Sequence, residues 1–338
     1  MEAEYDLTGK TILITGGTGS FGKRFVATVL KDYAPKKLIV FSRDELKQFE
    51  MHEDIDEKRF PAIRYFLGDI RDRDRLYRAL NDVDVVVHAA ALKQVPAAEY
   101  NPFEFVKTNV IGTQNLIDAA IDCGVERVIG LSTDKAANPI NLYGATKLCA
   151  DKLFIAANAY TGTRRTRFAV VRYGNVVGSR GSVIPFFLKK KKEGKIPITD
   201  PEMTRFFITL DQGVGFVTKG LGRMSGGELY VPKIPSMRIA DLATAVAPDC
   251  EHEVIGLRPG EKVHELMIAK DDARRTMEFD DHYVIEPVQQ QWWDAEKPPA
   301  MRGGRRCADD FEYTSDKNDS WLSIPELRKL AEQVENGQ

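Results

Sequence analysis

The chain has 338 residues, 43% of them hydrophobic, and a formal charge of −2. That length buries one large or two modest cores, and the near-neutral charge leaves no basic footprint for nucleic acid or an anionic membrane. Cys123, Cys149, Cys250 and Cys307 lie far apart with no C-x-x-C spacing, which predicts buried thiols in a reducing compartment rather than zinc or a disulfide framework; no metal is expected.

The polar start Met1 to Asp6 has neither a basic nor an apolar leader segment. No later stretch approaches the about 20 apolar residues of a membrane span, so a cytoplasmic protein is expected. Thr11 to Thr15 is a short strand-like run entering the glycine loop Gly16 to Gly22, and Lys23 to Lys31 carries a helical pattern. Strand, glycine loop and helix in that order predict a dinucleotide site. Gly16, Gly19 and Gly22 serve the turn, the approach of a pyrophosphate and helix packing, with Thr18, Ser20 and Phe21 between them.

The next strand, Lys37 to Phe41, ends in Ser42-Arg43-Asp44, with Lys47 one turn on. A hydroxyl and a guanidinium at this place suit a 2′-phosphate and favour NADP, while Asp44 keeps NAD open. Ile63 to Leu67 gives a third strand followed by Asp69 and Ile70. Asp69 either accepts from an adenine amine or caps a helix from Arg71 to Leu80. Asp84 to His88 is a fourth strand, leading into Ala89 to Ala91, small residues that admit a flat ring. Lys93 beyond them is a phosphate or sugar contact, or simply solvated. His88 reads as a satisfied core or cofactor-adjacent histidine. A long helix is expected from Pro102 to Cys123, with the Asn109 amide bracing the site.

Arg127 to Leu131 has the length of a buried parallel strand and breaks at Ser132, so Ser132, Thr133, Asp134 and Lys135 should emerge at its carboxyl end, where open α/β sheets bind ligands. Asn138-Pro139 marks a turn. In the helix expected from Asn141 to Tyr160, Tyr143 and Lys147 stand at i and i+4 on one face. A phenol beside an ammonium can take a proton from an alcohol. Phe168 to Arg172 adds a sixth strand, ending at Tyr173 to Val176. The repeated βα pattern predicts a doubly wound parallel sheet of the Rossmann kind over residues 1–176.

After 176 the periodicity loosens and glycine and proline increase, which predicts a smaller substrate-binding lobe over 177–338. Lys189 to Lys192 reads as the solvated face of a helix. Thr199 to Arg205 and Gly256 to Glu261 each set an arginine, Arg205 and Arg258, in a loop-like context. Each suits a diphosphate clamp or a structural salt bridge. Trp292-Trp293, Pro298-Pro299 and Gly303-Gly304 predict an irregular stretch before a closing helix from Ile324 to Val334.

Thr15-Gly16-x-x-Gly19-x-x-Gly22 with Tyr143-x-x-x-Lys147 resembles the extended short-chain dehydrogenases/reductases. Ser42 to Glu50, Ala91 to Pro96, Ser132 to Lys135, Arg172 to Gly181 and Met203 to Phe206 narrow the resemblance to the inverting UDP-N-acetylglucosamine 4,6-dehydratases. The nearest type opens pseudaminic acid biosynthesis for flagellin glycosylation. Retaining sugar-nucleotide dehydratases carry Asp-Glu where this chain has Asp134-Lys135.

The resemblance implies a lyase that oxidises C4 of the sugar, loses water across C5 and C6 and returns hydride to C6 with inversion at C5. Its product is a UDP-2-acetamido-2,6-dideoxy-4-keto-L-hexose. Tyr143 takes the 4-hydroxyl proton, with Lys147 holding the phenolate. Lys135 removes the C5 proton, on condition that burial and neighbouring cations depress its pKa. Protonated Asp134 donates to the departing 6-hydroxyl, and Thr133 or Ser132 holds the 4-oxygen. A tightly bound NADP, regenerated each turnover, lies on the glycine loop, Ser42, Arg43, Lys47, Asp69, Ile70, Ala89, Ala91, Leu131, Ser132, Tyr143 and Lys147. Lys93, Asn175, Thr199, Met203, Arg205, Arg258 and Glu261 bind the UDP-sugar, in a homo-oligomer. The rivals are a nucleotide-sugar 4- or 5-epimerase and a non-catalytic NADP-sensing protein.

Overall fold

Thr11–Thr15 (β1) is buried at every position, as a strand covered on both faces must be. The computed structural model, which describes residues 5–179, 181–288 and 303–336, sets it inside a ten-stranded sheet. Arg180 and the Trp292-Trp293 and Pro298-Pro299 pairs lie outside the described residues. After β1 come α1 (Ser20–Asp32), β2 (Lys37–Ser42), α2 (Glu45–Asp54), β3 (Ile63–Leu67), α3 (Arg73–Ala79) and β4 (Val85–His88). The short α4 (Val95–Tyr100) and α5 (Pro102–Phe105) lead to α6 (Gly112–Asp122), β5 (Arg127–Thr133), α7 (Leu142–Ala157) and β6 (Arg167–Tyr173).

These six strands pair in parallel in the order β3-β2-β1-β4-β5-β6. The order reverses between β1 and β4, which opens a crevice at their carboxyl ends. The doubly wound sheet expected from the alternation is therefore present. Three local expectations differ. The helix expected from Pro102 is continuous to Asp122 but not uniform, because Val106–Ile111 winds as a π-helical turn between α5 and α6. β5 runs two residues beyond Leu131. The cap of α3 is Asp72, whose carboxylate accepts from Arg75 N; Asp69 is instead held by Arg71.

The rest of the chain comprises β7 (Asn175–Val176), α8 (Val183–Lys191), β8 (Lys195–Ile198), β9 (Thr204–Ile208), α9 (Leu210–Arg223), β10 (Leu229–Pro232), β11 (Ser236–Arg238), α10 (Ile239–Val246) and β12 (Glu251–Val254). It continues through β13 (Leu266–Ile268), α11 (Lys270–Ala273), β14 (Thr276–Glu278), β15 (His282–Ile285), β16 (Arg305–Arg306), β17 (Tyr313–Thr314) and α12 (Ile324–Glu335). Ile184, Phe187, Ile196, Leu242 and Leu327 belong to a second hydrophobic core built from residues after 176. The large sheet does not stop there, however. β10 pairs in parallel with β6, and β15, β14 and β16 extend that edge antiparallel. Residue 176 thus marks where the smaller core begins, while the main sheet recruits strands from both halves, because the edge of β6 still needs hydrogen-bonding partners.

Candidate active site

The glycine loop forms at the end of β1 because only glycine fits it. Gly16 sits at φ +66° with Ala90 Cα 2.9 Å from where a Cβ would stand, and at Gly22 a Cβ would lie 2.5 Å from Gly17. Gly19, which precedes α1, faces little beyond Gly16 O. A ligand phosphate can therefore approach the backbone amides at the start of α1. This cradle fits a dinucleotide. It opens into one cleft of about 1140 Å³, spacious enough for two nucleotides, that continues to the smaller lobe.

Gly16, Thr18, Gly19, Ser20, Phe21, Gly22, Ser42, Arg43, Lys47, Asp69, Ile70, Ala89, Ala91, Leu131, Ser132, Tyr143 and Lys147 all line this cleft. At its far end stand Lys93, Asn175, Thr199, Met203, Arg205, Arg258 and Glu261. Beside the ribose position expected at the end of β2, the Ser42 hydroxyl is buried against Thr18 Oγ1 at 2.8 Å. Asp44 caps α2 and pairs with Lys47. Arg43 reaches Asp69 only at 3.6 Å, and half of its side chain remains exposed.

α7 brings Tyr143 and Lys147 to the end of β5. Its start is fixed by Asn141, which accepts from Gly144 N and donates to Gly260 O across the cleft. A Cβ on Gly144 would meet Lys135 O at 2.1 Å, so glycine is what lets the helix touch the turn that carries Asp134 and Lys135. Lys147 Nζ donates to Leu131 O at 2.7 Å. Burial lowers the Lys147 pKa against the opposing pull of Asp151. Tyr143 differs from expectation: burial pushes its phenol up to about 12, and the side chains that chiefly work against that rise are Lys135 and Thr133.

Asp134 and Lys135 begin a 3-10 turn over Asp134–Ala136. Thr133 Oγ1 donates to Asp134 Oδ1 at 3.0 Å, and Lys135 Nζ stands 3.1 Å from the same oxygen. Lys135 Nζ is also 3.1 Å from Glu265 Oε1. Burial disfavours the ammonium, but these two carboxylates outweigh it and raise the Lys135 pKa above the ordinary lysine value. The depressed pKa expected for a base is therefore absent in the resting site. Asp134 is fully buried, and burial raises its pKa. It does not line the cleft, whereas its neighbours Thr133 and Lys135 do.

Ser132 does not face the sugar position. Its hydroxyl donates to Asp151 Oδ2 at 2.8 Å, and Arg172 binds the same oxygen at 3.1 Å. Arg205 is not in a loop: it belongs to β9, where its guanidinium donates to the carbonyls of Thr204, Lys262 and Val263 and lies 3.6 Å from Glu265. Arg258 stays largely exposed, 3.8 Å from Glu261. His88 bonds to Thr15 and Thr113, and burial pushes its pKa down to about 3, so it is a neutral core group. Asn109, in the π-turn, accepts from Leu92 N and donates to Leu92 O and Thr146 Oγ1. It thereby ties the Lys93 loop to α7. Of the cysteines expected to be buried, Cys307 is, whereas Cys149 is exposed; all four are free thiols.

Glu265, Lys262 and Asp151 escaped the sequence reading. Asp151 lies four residues beyond Lys147, so helical spacing alone places it on the active face. Glu265 and Lys262 carry no local signal; the fold brings them to the turn, where Lys262 Nζ donates to Ala137 O.

The chain is 54% identical over 332 residues to a UDP-N-acetylglucosamine 4,6-dehydratase (inverting) of Campylobacter jejuni, covering 96% of this chain and 98% of the relative. A UDP-glucose 4-epimerase of Rickettsia conorii is more distant, at 39% identity with 95% of each chain covered. The crystal structure of Pen from Bacillus thuringiensis superposes with a TM-score of 0.87 at 37% identity, over 97% of this chain and 98% of that one. DesIV from Streptomyces venezuelae, a dTDP-glucose 4,6-dehydratase with NAD and TYD bound, gives a TM-score of 0.66 at 25% identity, over 75% and 86%. Among the described residues no helix is long and apolar enough to cross a membrane. Residues 12–287 match the family described as polysaccharide biosynthesis protein, and the chain belongs to that extended short-chain dehydrogenase/reductase family.

Proposed function

We propose that this chain is an inverting UDP-N-acetylglucosamine 4,6-dehydratase that works with a bound NADP. The observation that carries the reading is a second acid–base set, Asp134, Lys135 and Thr133, packed against Tyr143 at the end of β5. An epimerase acting at C4 needs Tyr143 and Lys147 but has no use for a buried carboxyl and an amine beside them. The identity to the Campylobacter dehydratase, higher than to the Rickettsia epimerase, supports the same choice. A silent sensor would have no need of either set.

The glycine loop, Arg43, Lys47 and Asp69 hold the dinucleotide, and NADP is favoured because Asp44 is engaged by α2 and Lys47 while Arg43 is half exposed at the cleft. When bound, the cofactor supplies the hydride acceptor, returns the same hydride and adds positive charge near Tyr143. Tyr143 takes the 4-hydroxyl proton. The resulting ketone acidifies C5–H, which Lys135 removes as a neutral amine. Asp134 supplies the proton for the departing 6-oxygen by way of the Thr133 hydroxyl, which lines the cleft where Asp134 does not and which must turn from donating to Asp134 to accepting from it. Lys93, Asn175, Thr199, Met203, Arg258 and Glu261 form the UDP-sugar end, with Arg205 holding the Lys262 to Glu265 segment in place. The enzyme is a cytoplasmic homo-oligomer, and its keto sugar feeds the pseudaminic acid route to glycosylated flagellin.

Incubation with UDP-N-acetylglucosamine, followed by mass and NMR analysis of the product, tests this. The expected product has lost water, carries a C6 methyl group and is inverted at C5. A product of unchanged mass with an inverted centre would establish an epimerase instead.

A further inference from the structure

An elimination needs its acid and its base at the same moment. Asp134 and Lys135 alone do not provide both, because Lys135 must lose its ammonium proton before it can act as a base and an already protonated Asp134 has no place to take it. The structure adds a third group: Glu265, 2% exposed, places Oε1 3.1 Å from Lys135 Nζ. It arrives from the residue before β13, far along the chain. Glu265 Oε2 and Asp134 Oδ2 are both buried without a hydrogen-bond partner. Two buried carboxylates with an unused oxygen each, sharing one amine, form a set that can redistribute protons without solvent.

We propose that Glu265 is the proton store of this set: it accepts the Lys135 proton, so that Lys135 becomes a neutral amine while Asp134 keeps its own. This rests on the dehydratase reading above. At rest Lys135 is charged, Glu265 ionised and Asp134 protonated. Burial raises the Glu265 carboxyl, but Lys135 and Arg205 outweigh it and hold it below its usual value. In the first step a Lys135 N–H bond breaks and a Glu265 O–H bond forms. In the second, C5–H breaks and its proton restores the Lys135 ammonium, the electron pair forms the C5–C6 double bond, and C6–O breaks. The Thr133 hydroxyl, which at rest donates to Asp134, turns to give its proton to that oxygen and takes the Asp134 proton in its place, and water leaves. Afterwards Lys135 passes a proton to Asp134 and takes the one on Glu265. The set thus ends the elimination with the two protons it began with; the proton that C5 takes up on its other face as hydride returns to C6 is balanced by the one Tyr143 took from the 4-hydroxyl.

The groups facing the set come from several elements. Arg205 on β9 and Lys262 beside Glu265 are cationic, as is Arg172 on β6. Tyr143 faces it from α7, with Lys147 and Asp151 beyond it on the same helix, and Lys93 faces it from the loop after β4. Only Asp134 and Glu265 among them lie within 3.1 Å of Lys135 Nζ as carboxylates. Glu265 acts through Lys135 and is therefore a positioning residue.

The test uses holoenzyme and UDP-N-acetylglucosamine in D₂O, comparing wild type, Glu265→Gln and Glu265→Asp across pH. Absorbance of bound reduced nicotinamide, deuterium at C5 and dehydrated product are read together. In Glu265→Gln the cofactor should still be reduced, while C5 exchange and product fall about 10²–10⁴-fold at neutral pH. Raising the pH should restore exchange, because solvent then removes the Lys135 proton, but not product, because Asp134 is then ionised. Glu265→Asp should recover part of both at neutral pH. If the glutamine variant exchanges and dehydrates near the wild-type rate, the proposal fails. It also fails if cofactor reduction, exchange and product decline in equal proportion at every pH. Should the glutamine variant not fold, the aspartate variant decides by the same split. Absence of dehydrated product from wild type would sink the dehydratase reading alone; the variant-to-wild-type ratio of C5 exchange would still decide Glu265.

Discussion

Lys135→Ala removes an ammonium shared by two buried carboxylates, and its effects separate the two halves of the reaction. Bound cofactor should still be reduced by UDP-N-acetylglucosamine, whereas C5 exchange and product should fall about 10²–10⁴-fold. Unlike Glu265→Gln, this variant has no amine to deprotonate, so high pH should not restore exchange. A variant that makes product at the wild-type rate would remove Lys135 from the mechanism. At the other end of the cleft, Arg43→Ala should weaken NADP by about tenfold or more, leaving NAD nearly unchanged, since a charge-assisted bond to the 2′-phosphate is lost. Titration calorimetry with both dinucleotides checks it. His88 sets a pH dependence of stability. Its pKa falls from 6.5 to about 3 on folding, so the unfolded chain binds the extra proton. Stability from this group is complete above pH 6.5 and declines by about 1.4 kcal/mol per unit as pH falls toward 3. Denaturant titrations should find a shallower acid slope in His88→Gln. At this scale the sequence placed Tyr143, Lys147, Asp134 and Lys135 together at the end of β5 by residue type and spacing. It missed the charge state of Lys135, because that is set by Glu265, which no spacing connects to it.

At the scale of elements, the contact that matters most is between the start of α7 and the 3-10 turn after β5. Gly144→Ala inserts a methyl group where Lys135 O stands 2.1 Å away, so helix or turn must shift. Misplacement of reacting groups by about 1 Å costs about 10²-fold. Single-turnover measurements should find both cofactor reduction and dehydration slowed by at least that factor, with dinucleotide affinity kept because the glycine loop is untouched. Preserved cofactor reduction would mean that Tyr143 had not moved. β1, β3 and the doubly wound alternation were readable from apolar runs and their period. The π-turn at Val106–Ile111 was not, since its cause is tertiary: Asn109 turns inward to bind both backbone groups of Leu92.

At the scale of the molecule, the cleft depends on a small core that the large sheet does not support. Leu327 of α12 is fully buried in it, and Leu327→Ala should cost about 2–5 kcal/mol. Because Ile198, Met203 and Ile239 of that core also line the end of the cleft proposed for the UDP-sugar, affinity for the sugar nucleotide should fall before affinity for NADP does. Parallel binding titrations and thermal melts would read the order; simultaneous loss of both ligands would argue that the two cores unfold as one unit.

The sequence by itself determined the parallel sheet, the dinucleotide loop and the residues at the end of β5, because each is written in local patterns of period, glycine and helical spacing. Only the tertiary structure decided that Ser132 and Arg172 both bind Asp151, that Asp134 is kept from the cleft lining, and that Arg205 binds carbonyls. It alone brought Glu265 to Lys135. Protonation states depend on burial and on charges within a few ångströms, and those distances exist only after residues remote in the chain have packed together.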